Sequence, residues 1–442
     1  MFQGDFTKDE LAARRARVAG DLSSGSIAVL QGAPKESGHE LFRQTNDFYY
    51  LCGVEVPHSY LTIDASGVST LYLPLQSEDQ REKEGALLSS DRSEEAIQLT
   101  GVDRVLGLED LEAQLEMHKA LYVPMRPAEG FWMSWDTLRR ANKDAQTDPW
   151  DGRLDRSGAF VESLRDCFPD VDLKDLNPIL DDLRLVKTGT ECELVRRAGK
   201  LTAVGILEAM KSTTPGVMEY QLDAVMRYVY LAGGSRDVGY RAIIAGGDNA
   251  WYGHYNANDQ PLKDGDLVLV DCAPDYRYYT SDIGRMWPVN GTYSPVQREL
   301  YGFIVHYHQV LLDVIRPGVL AADICREAAD RMRPVVEETT FSKEIYKASA
   351  LRSLDKMHLT HPVGMAVHDV GHYKDDPLRA GLVITLDPMM WIPEERLYIR
   401  VEDTLLMTED GYENLTQDAP LDLDDVEQTM KDDGMLVSFP PQ

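Results

Sequence analysis

The sequence predicts an α/β (α+β) fold made of an N-terminal α/β domain, a pseudo-twofold second domain and an acidic C-terminal tail. The predicted boundaries are 1–178, 179–416 and 417–442. Two observations predict this organisation. Short apolar segments alternate with helical stretches near the N-terminus, and one order of elements occurs twice in the second domain. A chain of 442 residues with 43% hydrophobic content is long enough to bury more than one core.

The N-terminal domain opens with a predicted helix, because Thr7 and Glu10 form a capping-box pattern before an amphipathic stretch. Short β-prone segments follow, among them SIAVL and STLYLPL. Asn177-Pro178 is the predicted domain boundary, since the residue before a proline disfavours helix. The next helix is expected from about Glu191, after a cap at Thr188 or Thr190.

The second domain contains a faint internal duplication. A helix is predicted to end at Pro215-Gly216-Val217, another helix follows, and a hairpin with two acidic residues comes next. The same order recurs after Pro317-Gly318-Val319. Each half of the domain is therefore expected to contribute one pair of carboxylates.

The first acidic pair is Asp271 and Asp282, which lie on either side of a short turn segment between apolar β-formers. In an antiparallel hairpin, the numbers of opposed residues add to a constant. A turn centred on Tyr276 and Arg277 makes that constant 553. Because Asp271 and Asp282 also add to 553, they are predicted to oppose each other with Cβ atoms about 5 Å apart.

The second pair, Asp387 and Glu402, obeys the same rule, because a turn at Glu394 and Glu395 opposes positions that add to 789. The chain has 74 Asp and Glu residues, so solvent-facing pairs are the alternative explanation. Apolar strand residues flank all four carboxylates, however, and like charges opposed on one face are destabilising without a cation. We therefore expect divalent metal ions held by oxygen atoms and one or two imidazoles.

The imidazoles are expected from residues 357–373, which hold four of the ten histidines beside the small residue Gly364. A single histidine in such a segment is more often an ordinary half-buried residue, whereas a cluster is typical of a site. His306 and His308 lie two positions apart in an amphipathic stretch. On a helix they point in different directions, so they are interpreted as structural.

Several dispersed motifs occur in one order along the chain. His254 precedes Asp271 by seventeen positions, and H-x-x-G-x-x-x-H-D-V-G follows at 361–371. T-L-D-P at 385–388 and I-R-V-E-D at 399–403 complete the series. This order resembles the proline-specific pita-bread metallopeptidases, aminopeptidase P and proline dipeptidase. The segment FRQTNDFYYLCG is similar to the signature of the aminopeptidase P N-terminal domain.

The resemblance implies a pita-bread catalytic domain that binds two divalent metal ions. Manganese is the expected metal, with cobalt or zinc as alternatives. Charge supports two ions, because four carboxylates carry four negative charges, which two divalent cations cancel. By the resemblance, Asp282 and Glu402 bridge both ions. The five implied ligands are Asp271, Asp282, His361, Asp387 and Glu402.

The resemblance also assigns roles around the metals. His254 and His368 are expected to contact the scissile carbonyl or the proline side of the substrate. Arg400 lies two residues before Glu402 on one strand face, so it is expected to hold the carboxylates. The implied catalytic residues are His254, His368, Asp387, Glu402 and Arg400. The implied substrate-binding residues are His254, His358, His368 and Trp391.

Four positions depart from the family pattern. The family motif T-x-E-P-G has glutamate where this chain has Asp387, which is one methylene shorter, and its glycine is Met389. Trp391 replaces the usual tyrosine, and His358 lies three residues before His361, where relatives have a histidine four before. The expected activity is hydrolysis of the bond preceding proline. The alternatives are an Xaa-Pro dipeptidase and a pita-bread homologue with reduced or altered activity that acts as a binding module.

Composition narrows the partners and the compartment. The net charge of -29 disfavours nucleic acid and anionic membranes. No run approaches the ~18 apolar residues of a membrane span, and MFQGDFTKDEL has no signal-peptide core, so a cytoplasmic protein is expected. Five cysteines without C-x-x-C spacing predict reduced thiols. The expected partners are peptides with proline at the second position, and the resemblance implies a homodimer or homotetramer.

Overall fold

The computed structural model describes residues 3–35 and 41–438. The chain forms two compact units that divide between Arg184 and Leu185. This division lies a few residues after the boundary expected at 178, because the helix Asn177–Leu185 continues through that point. No described helix is long and apolar enough to cross a lipid bilayer.

The N-terminal unit is built on a mixed sheet. Its strands are β1 (Ser26–Gln31), β2 (Tyr60–Asp64), β3 (Ser69–Tyr72), β4 (Arg104–Leu106), β5 (Ala120–Val123) and β6 (Asp172–Asp175). The strand order is β4-β3-β2-β1-β5-β6; β2 is antiparallel to β1 and β3, and the other neighbours are parallel. The helices are α1 (Lys8–Asp21), α2 (Asn46–Cys52), α3 (Glu78–Glu84), α4 (Ser93–Thr100), α5 (Leu111–Glu116), α6 (Trp135–Thr147), α7 (Arg156–Cys167) and α8 (Asn177–Leu185).

Local signals predicted several of these elements. Thr7 caps α1, because its side chain accepts a hydrogen bond from the Glu10 backbone N–H. The segments SIAVL and STLYLPL form β1 and β3, whose residues are almost all buried. In the second unit, Thr188 caps the next helix in the same way, with Glu191 completing a capping box.

The described residues of the second unit form a larger antiparallel sheet and six α-helices. Its strands are β7 (Asp237–Val238), β8 (Ile243–Gly246), β9 (Leu267–Asp271), β10 (Pro274–Asp275), β11 (Ile283–Pro288), β12 (Leu359–Pro362), β13 (Val383–Leu386), β14 (Met389–Ile392), β15 (Leu397–Arg400), β16 (Glu402–Met407) and β17 (Tyr412–Asn414). Its helices are α9 (Gly189–Ser212), α10 (Glu219–Ala232), α11 (Pro295–Val314), α12 (Ala321–Glu338), α13 (Glu344–Leu354) and α14 (Leu423–Thr429).

The main sheet of this unit has the order β12-β13-β16-β11-β9-β8, with β17 paired to β16. The two halves mirror each other about the contact between β11 and β16, where Gly284 pairs with Glu402. Each half supplies helices, then one strand, then one hairpin, so the predicted pseudo-twofold organisation is confirmed. The hairpin ends carry the acidic pairs and therefore meet near the middle of the sheet.

The register of the first hairpin differs from the prediction by one turn position. Asp271 pairs with Gly284, and Tyr276 bridges to Tyr279, so opposed residues add to 555 and not to 553. The turn is centred on Arg277 and Tyr278, which both adopt positive φ, as a type I′ turn requires. Because the shift in the partner strand is two residues, the acidic side chains still lie on one face.

The register of the second hairpin was predicted correctly. Met389 pairs with Arg400 in the outer part of the hairpin, and Leu386 pairs with Asp403 in the main sheet. Both pairs add to 789, the constant expected for the acidic pair. Pro393–Glu395 form a 3₁₀ turn, and Arg396 adopts a left-handed conformation that closes the loop.

The acidic segment expected as a tail contributes to the second unit. Ala419, Leu423 and Val426 are buried in its hydrophobic core, and α14 begins at Leu423. Asp422 caps α14, because its side chain accepts hydrogen bonds from the backbone N–H groups of Asp424 and Asp425. As far as residue 438, this part of the chain is therefore structured rather than peripheral.

Candidate metal centre

Four buried carboxylates lie at the ends of the hairpin strands. Asp271 ends β9, Asp282 directly precedes β11, Asp387 directly follows β13, and Glu402 begins β16. Each is at most 4% exposed. Since β11 and β16 are neighbours in the sheet, the two halves of the unit deliver their carboxylates to one place. The structure therefore brings together all four acidic residues predicted as ligands.

Three of the predicted ligands form a set that fits a metal ion. Asp282, His361 and Glu402 offer ligand atoms that all lie within 4.8 Å of one another. The His361 Nε2 atom is 3.6 Å from Asp282 Oδ2 and 3.9 Å from Glu402 Oε1. Glu402 Oε1 is buried and accepts no hydrogen bond from the described residues. A buried carboxylate oxygen of this kind, beside an imidazole, is suited to a divalent cation.

Arg400 lies among the remaining carboxylate oxygens. Its Nε donates to Asp387 Oδ1 at 2.8 Å, its Nη1 donates to Asp271 Oδ2 at 2.8 Å, and its Nη2 donates to Glu402 Oε2. The predicted role of Arg400 as a partner of the carboxylates is consistent with these contacts. Asp271 and Asp387 thus face the guanidinium, and neither belongs to the set formed by Asp282, His361 and Glu402.

The buried negative charge exceeds what one guanidinium can balance. Burial, with the neighbouring Asp271, raises the pKa of Asp282 to about 8, although Arg400 acts to lower it. Burial also raises the pKa of Asp387 and of Glu402. A carboxylate in such a place holds a proton or faces a cation, so the site is electrostatically prepared for metal ions.

Tyr240 is part of the site, although sequence reasoning missed it. Its hydroxyl donates to Asp271 Oδ1 at 2.7 Å and to Asp282 Oδ1 at 2.6 Å. Burial raises its pKa well above the ordinary value, and both carboxylates add to this effect, so the hydroxyl keeps its proton. One proton serves only one acceptor at a time, and Asp282 Oδ1 also accepts from the Ile283 N–H at 3.0 Å.

A row of histidine rings leads towards the three-residue set. The ring centroids of His254 and His368 are 6.5 Å apart, and those of His368 and His361 are 4.2 Å apart. His254 is exposed, whereas His368 and His361 are half-buried. The three rings thus run from solvent at His254 towards the buried carboxylates.

Trp391 lies near this row, on strand β14. Its ring stacks on Tyr398 at 4.1 Å and meets Trp251 edge-on at 5.1 Å between centroids. Trp391 is 36% exposed. Trp251 lies three residues before His254, so the aromatic cluster borders the segment that carries the first histidine.

The structure does not bring His358 into the site. The His358 side chain is fully buried, with Nδ1 3.1 Å from the Asp387 carbonyl oxygen and Nε2 2.8 Å from the Ser353 carbonyl oxygen. Burial lowers its pKa. Neither ring nitrogen can reach a substrate, so the predicted substrate contact of His358 is wrong. Its contact with the Asp387 carbonyl oxygen instead holds the backbone at the end of β13.

Glu219 is a second residue that sequence reasoning missed. Its Oε1 accepts from the Gly246 N–H at 3.0 Å and from Asn249 Nδ2 at 2.9 Å. Its Oε2 accepts from the Tyr255 hydroxyl at 2.8 Å and from the Gln260 N–H at 3.1 Å. All four donors belong to the segment that carries His254, so this buried carboxylate positions that segment.

The domain matches from family comparisons agree with the fold and the site. The chain belongs to metallopeptidase family M24, whose family model matches residues 193–409. A second model, described as the aminopeptidase P N-terminal domain, matches residues 11–122. These matches confirm the resemblance stated from the motifs.

Curated relatives align along nearly the whole chain. The Xaa-Pro aminopeptidase of Escherichia coli (strain K12) is 28% identical, over 96% of this chain and 98% of the relative. A probable Xaa-Pro aminopeptidase of Coccidioides posadasii (strain C735) is 31% identical, over 88% of each chain.

Solved structures confirm the pita-bread fold. Proline aminopeptidase P II from Yersinia pestis superposes with a TM-score of 0.78 at 28% identity, covering 96% of this chain and 100% of that one. The zinc-substituted E. coli aminopeptidase P in complex with product gives a TM-score of 0.77 at 25% identity, covering 97% and 99%.

Proposed function

We propose that this protein is a metallo-aminopeptidase that hydrolyses the peptide bond preceding proline and releases the N-terminal residue from Xaa-Pro peptides. The observation that carries the proposal is the buried set of Asp282, His361 and Glu402 at the end of a row of histidines. Xaa-Pro aminopeptidase relatives that align over nearly the full length support the substrate class.

The proposed cofactor is a pair of divalent metal ions, with manganese first and cobalt or zinc as alternatives. A mixed set of carboxylates and one imidazole suits all three metals. Four buried carboxylates against one guanidinium support a count of two. The proposed ligands are Asp271, Asp282, His361, Asp387 and Glu402. When bound, the metals supply Lewis-acid polarisation and lower the pKa of a water molecule.

The residues of the chain supply positioning and proton transfer. Glu402 or Asp387 accepts the proton of the attacking water, because both belong to the buried group of four carboxylates. His254 and His368 donate hydrogen bonds to the carbonyl oxygen as negative charge develops on it. Arg400 orients the carboxylates, and Tyr240 holds Asp271 and Asp282 together.

Asp387 favours a second candidate function. Its carboxylate is held by Arg400 Nε and lies outside the set formed by Asp282, His361 and Glu402. If Asp387 does not reach a metal, the protein is a pita-bread homologue with reduced or altered activity that acts as a binding module. A dipeptidase restricted to Xaa-Pro is the remaining alternative within the same reaction class.

Three properties complete the proposal. The substrates are peptides with proline at the second position, the protein assembles as a homodimer or homotetramer, and it works in the cytoplasm. Bacterial Xaa-Pro aminopeptidase relatives support the first property. The net charge of -29, which repels nucleic acid and anionic lipid, supports small peptides as partners.

The test is hydrolysis of an Xaa-Pro-Yaa tripeptide by the purified manganese-loaded protein, with the released amino acid quantified. Glu402→Ala is expected to abolish release, whereas the matched control Glu409→Ala, at an exposed position, is expected to retain it. Retained hydrolysis in Glu402→Ala would refute the proposal. Rejection of Xaa-Pro-Yaa-Zaa with hydrolysis of Xaa-Pro would instead identify the dipeptidase.

A further inference from the structure

A second cleft lies behind the metal centre, on the other face of the main sheet. Asp403 follows Glu402 in β16, and consecutive strand residues point to opposite faces. On the Asp403 side, α11, β17 and residues 417–421 enclose a cleft of about 570 Å³. This volume falls within the range of small-molecule sites, which span roughly 300–1,000 Å³.

The floor of the cleft is a buried charged cluster. Arg285 Nη2 donates to Asp403 Oδ1 at 2.6 Å, and Thr416 Oγ1 donates to the same oxygen at 2.5 Å. The His308 Nε2 atom lies 3.0 Å from Asp403 Oδ2. The side chains of Arg285, His308 and Asp403 are each 1% exposed. Both oxygens of Asp403 are therefore satisfied, and its charge is balanced by Arg285.

Within the described part of the chain, three buried polar atoms of this floor make no hydrogen bond, namely Arg285 Nε and both ring nitrogens of His308. His308 Nε2 faces Asp403 Oδ2 at 3.0 Å, so the other two atoms are the ones left without a polar neighbour. The guanidinium Nε–H is always a donor, whereas His308 Nδ1 is an acceptor in the neutral tautomer that carries its proton on Nε2, towards Asp403. Buried polar atoms without partners are rare and cost about 1–3 kcal/mol each, so a ligand that satisfies both is favoured.

The walls and the mouth define the rest of the ligand. Leu312 and Leu421 are half-buried and give an apolar wall, and the Gln309 and Gln417 amides lie at the exposed mouth. Glu413, the remaining carboxylate of the lining, is paired with Arg196 Nε at 2.8 Å. The buried floor and the apolar wall therefore offer one donor, one acceptor and an apolar surface, without an unpaired charge to repel a zwitterion.

We propose that this cleft binds a free α-amino acid with an apolar side chain. The ligand carboxylate accepts from Arg285 Nε–H, the ligand ammonium donates to His308 Nδ1, and the side chain packs on Leu312 and Leu421. The site goes beyond the proposed peptidase function, because it lies on the opposite face from the metal centre.

Arg285 connects the two sites. Its Nη1 donates to the main-chain carbonyl of Glu402 at 2.7 Å and to that of Gly284 at 3.1 Å. A ligand that moves this guanidinium therefore moves the backbone at a proposed metal ligand. Occupancy of the cleft is expected to change the rate of peptide hydrolysis, in addition to any competition by the same amino acid at the metal centre.

The experiment is calorimetric titration of the metal-loaded protein with L-leucine, L-leucinamide and 4-methylpentanoate. Leucinamide lacks the carboxylate and 4-methylpentanoate lacks the ammonium, so each is expected to bind at least about tenfold more weakly than leucine. Leu421→Trp fills the cleft and is expected to weaken leucine binding by at least about tenfold. His308→Phe removes the acceptor and is expected to do the same.

A variant at the other site separates the two binding events. Asp282→Asn impairs the proposed metal centre and is expected to retain leucine binding at the cleft, independently of peptidase activity. Each variant is first checked for a native circular dichroism spectrum. If Leu421→Trp does not fold, leucine binding by His308→Phe tests the proposal instead. The proposal is overturned if leucine does not bind at millimolar concentration, if both cleft variants bind it as wild type does, or if 4-methylpentanoate binds equally well.

Discussion

Asp387→Glu tests the consequence of the shortened ligand. In the structure, Asp387 reaches Arg400 Nε at 2.8 Å but stands outside the set of Asp282, His361 and Glu402. The substitution restores the methylene that the family motif has at this position. It adds one carbon–carbon bond, which carries the carboxylate roughly 1.5 Å further from the backbone. The longer side chain is therefore expected to reach the metal centre.

The magnitude follows from that distance. A misplacement of about 1 Å at a reacting centre can cost about 100-fold in rate. Correcting it is expected to raise kcat/KM for an Xaa-Pro-Yaa peptide by about 10- to 100-fold, which corresponds to about 1.4–2.7 kcal/mol of barrier. The affinity for the more weakly held metal ion is expected to rise as well, because the carboxylate gains a direct contact.

The assay combines steady-state hydrolysis at saturating manganese with calorimetric metal titration. Asp387→Asn is the matched control, since it keeps the size of the side chain and removes its charge. It is expected to lower both metal affinity and kcat/KM. The reasoning is refuted if Asp387→Glu is no faster than wild type while Asp387→Asn is no slower, because position 387 then has no part in metal binding.

The other predictions concern support of the site and its protonation. Tyr240→Phe removes the hydroxyl proton that Asp271 and Asp282 share, so the free energy of unfolding of the metal-free protein is expected to fall by about 1–3 kcal/mol. An unchanged urea midpoint would argue against this contact. Glu219→Ala releases the segment that carries His254 and is expected to lower kcat several-fold while circular dichroism stays native, whereas the exposed control Glu409→Ala does not; equal activities would contradict the positioning role. Burial raises the folded-state pKa of Asp282 to about 8, above its ordinary value of 3.8. In the metal-free protein its contribution to stability is therefore full below pH 4 and lost as the pH rises towards 8. Over the same pH window metal ions compete with this proton, so manganese affinity is expected to rise with pH. Urea unfolding of the metal-free protein measures the first trend, and titration with manganese at several pH values measures the second. A metal affinity independent of pH would contradict the raised pKa of Asp282.

The hairpin rule predicted one register correctly and missed the other for a local reason. In the second hairpin, the polar turn is symmetric about Glu394 and Glu395, so its centre could be read from the sequence. In the first, Arg277 and Tyr278 both adopt positive φ, a conformation that such residues rarely take, and no sequence signal marks it. Asp271 and Asp282 still lie on one face of the sheet, because the register error was two residues and side chains alternate with a period of two.

Contacts between distant segments could not be predicted. Tyr240 reaches carboxylates that are 31 and 42 positions away, and no local motif precedes it. The family resemblance implied that His358 contacts substrate. The fold instead directs both of its ring nitrogens to backbone carbonyls. The motifs located the ligands, but only the packing of helices against the sheet decides which neighbouring side chains face them.

The central claim is that two metal ions held by this cluster hydrolyse the bond before proline. The most direct measurement is titration of the chelator-stripped protein with manganese while release of the N-terminal amino acid from Xaa-Pro-Yaa is followed. The expected result is no release without metal and a plateau at two equivalents per chain. Full hydrolysis without added metal, or no hydrolysis at any manganese concentration, would contradict the claim.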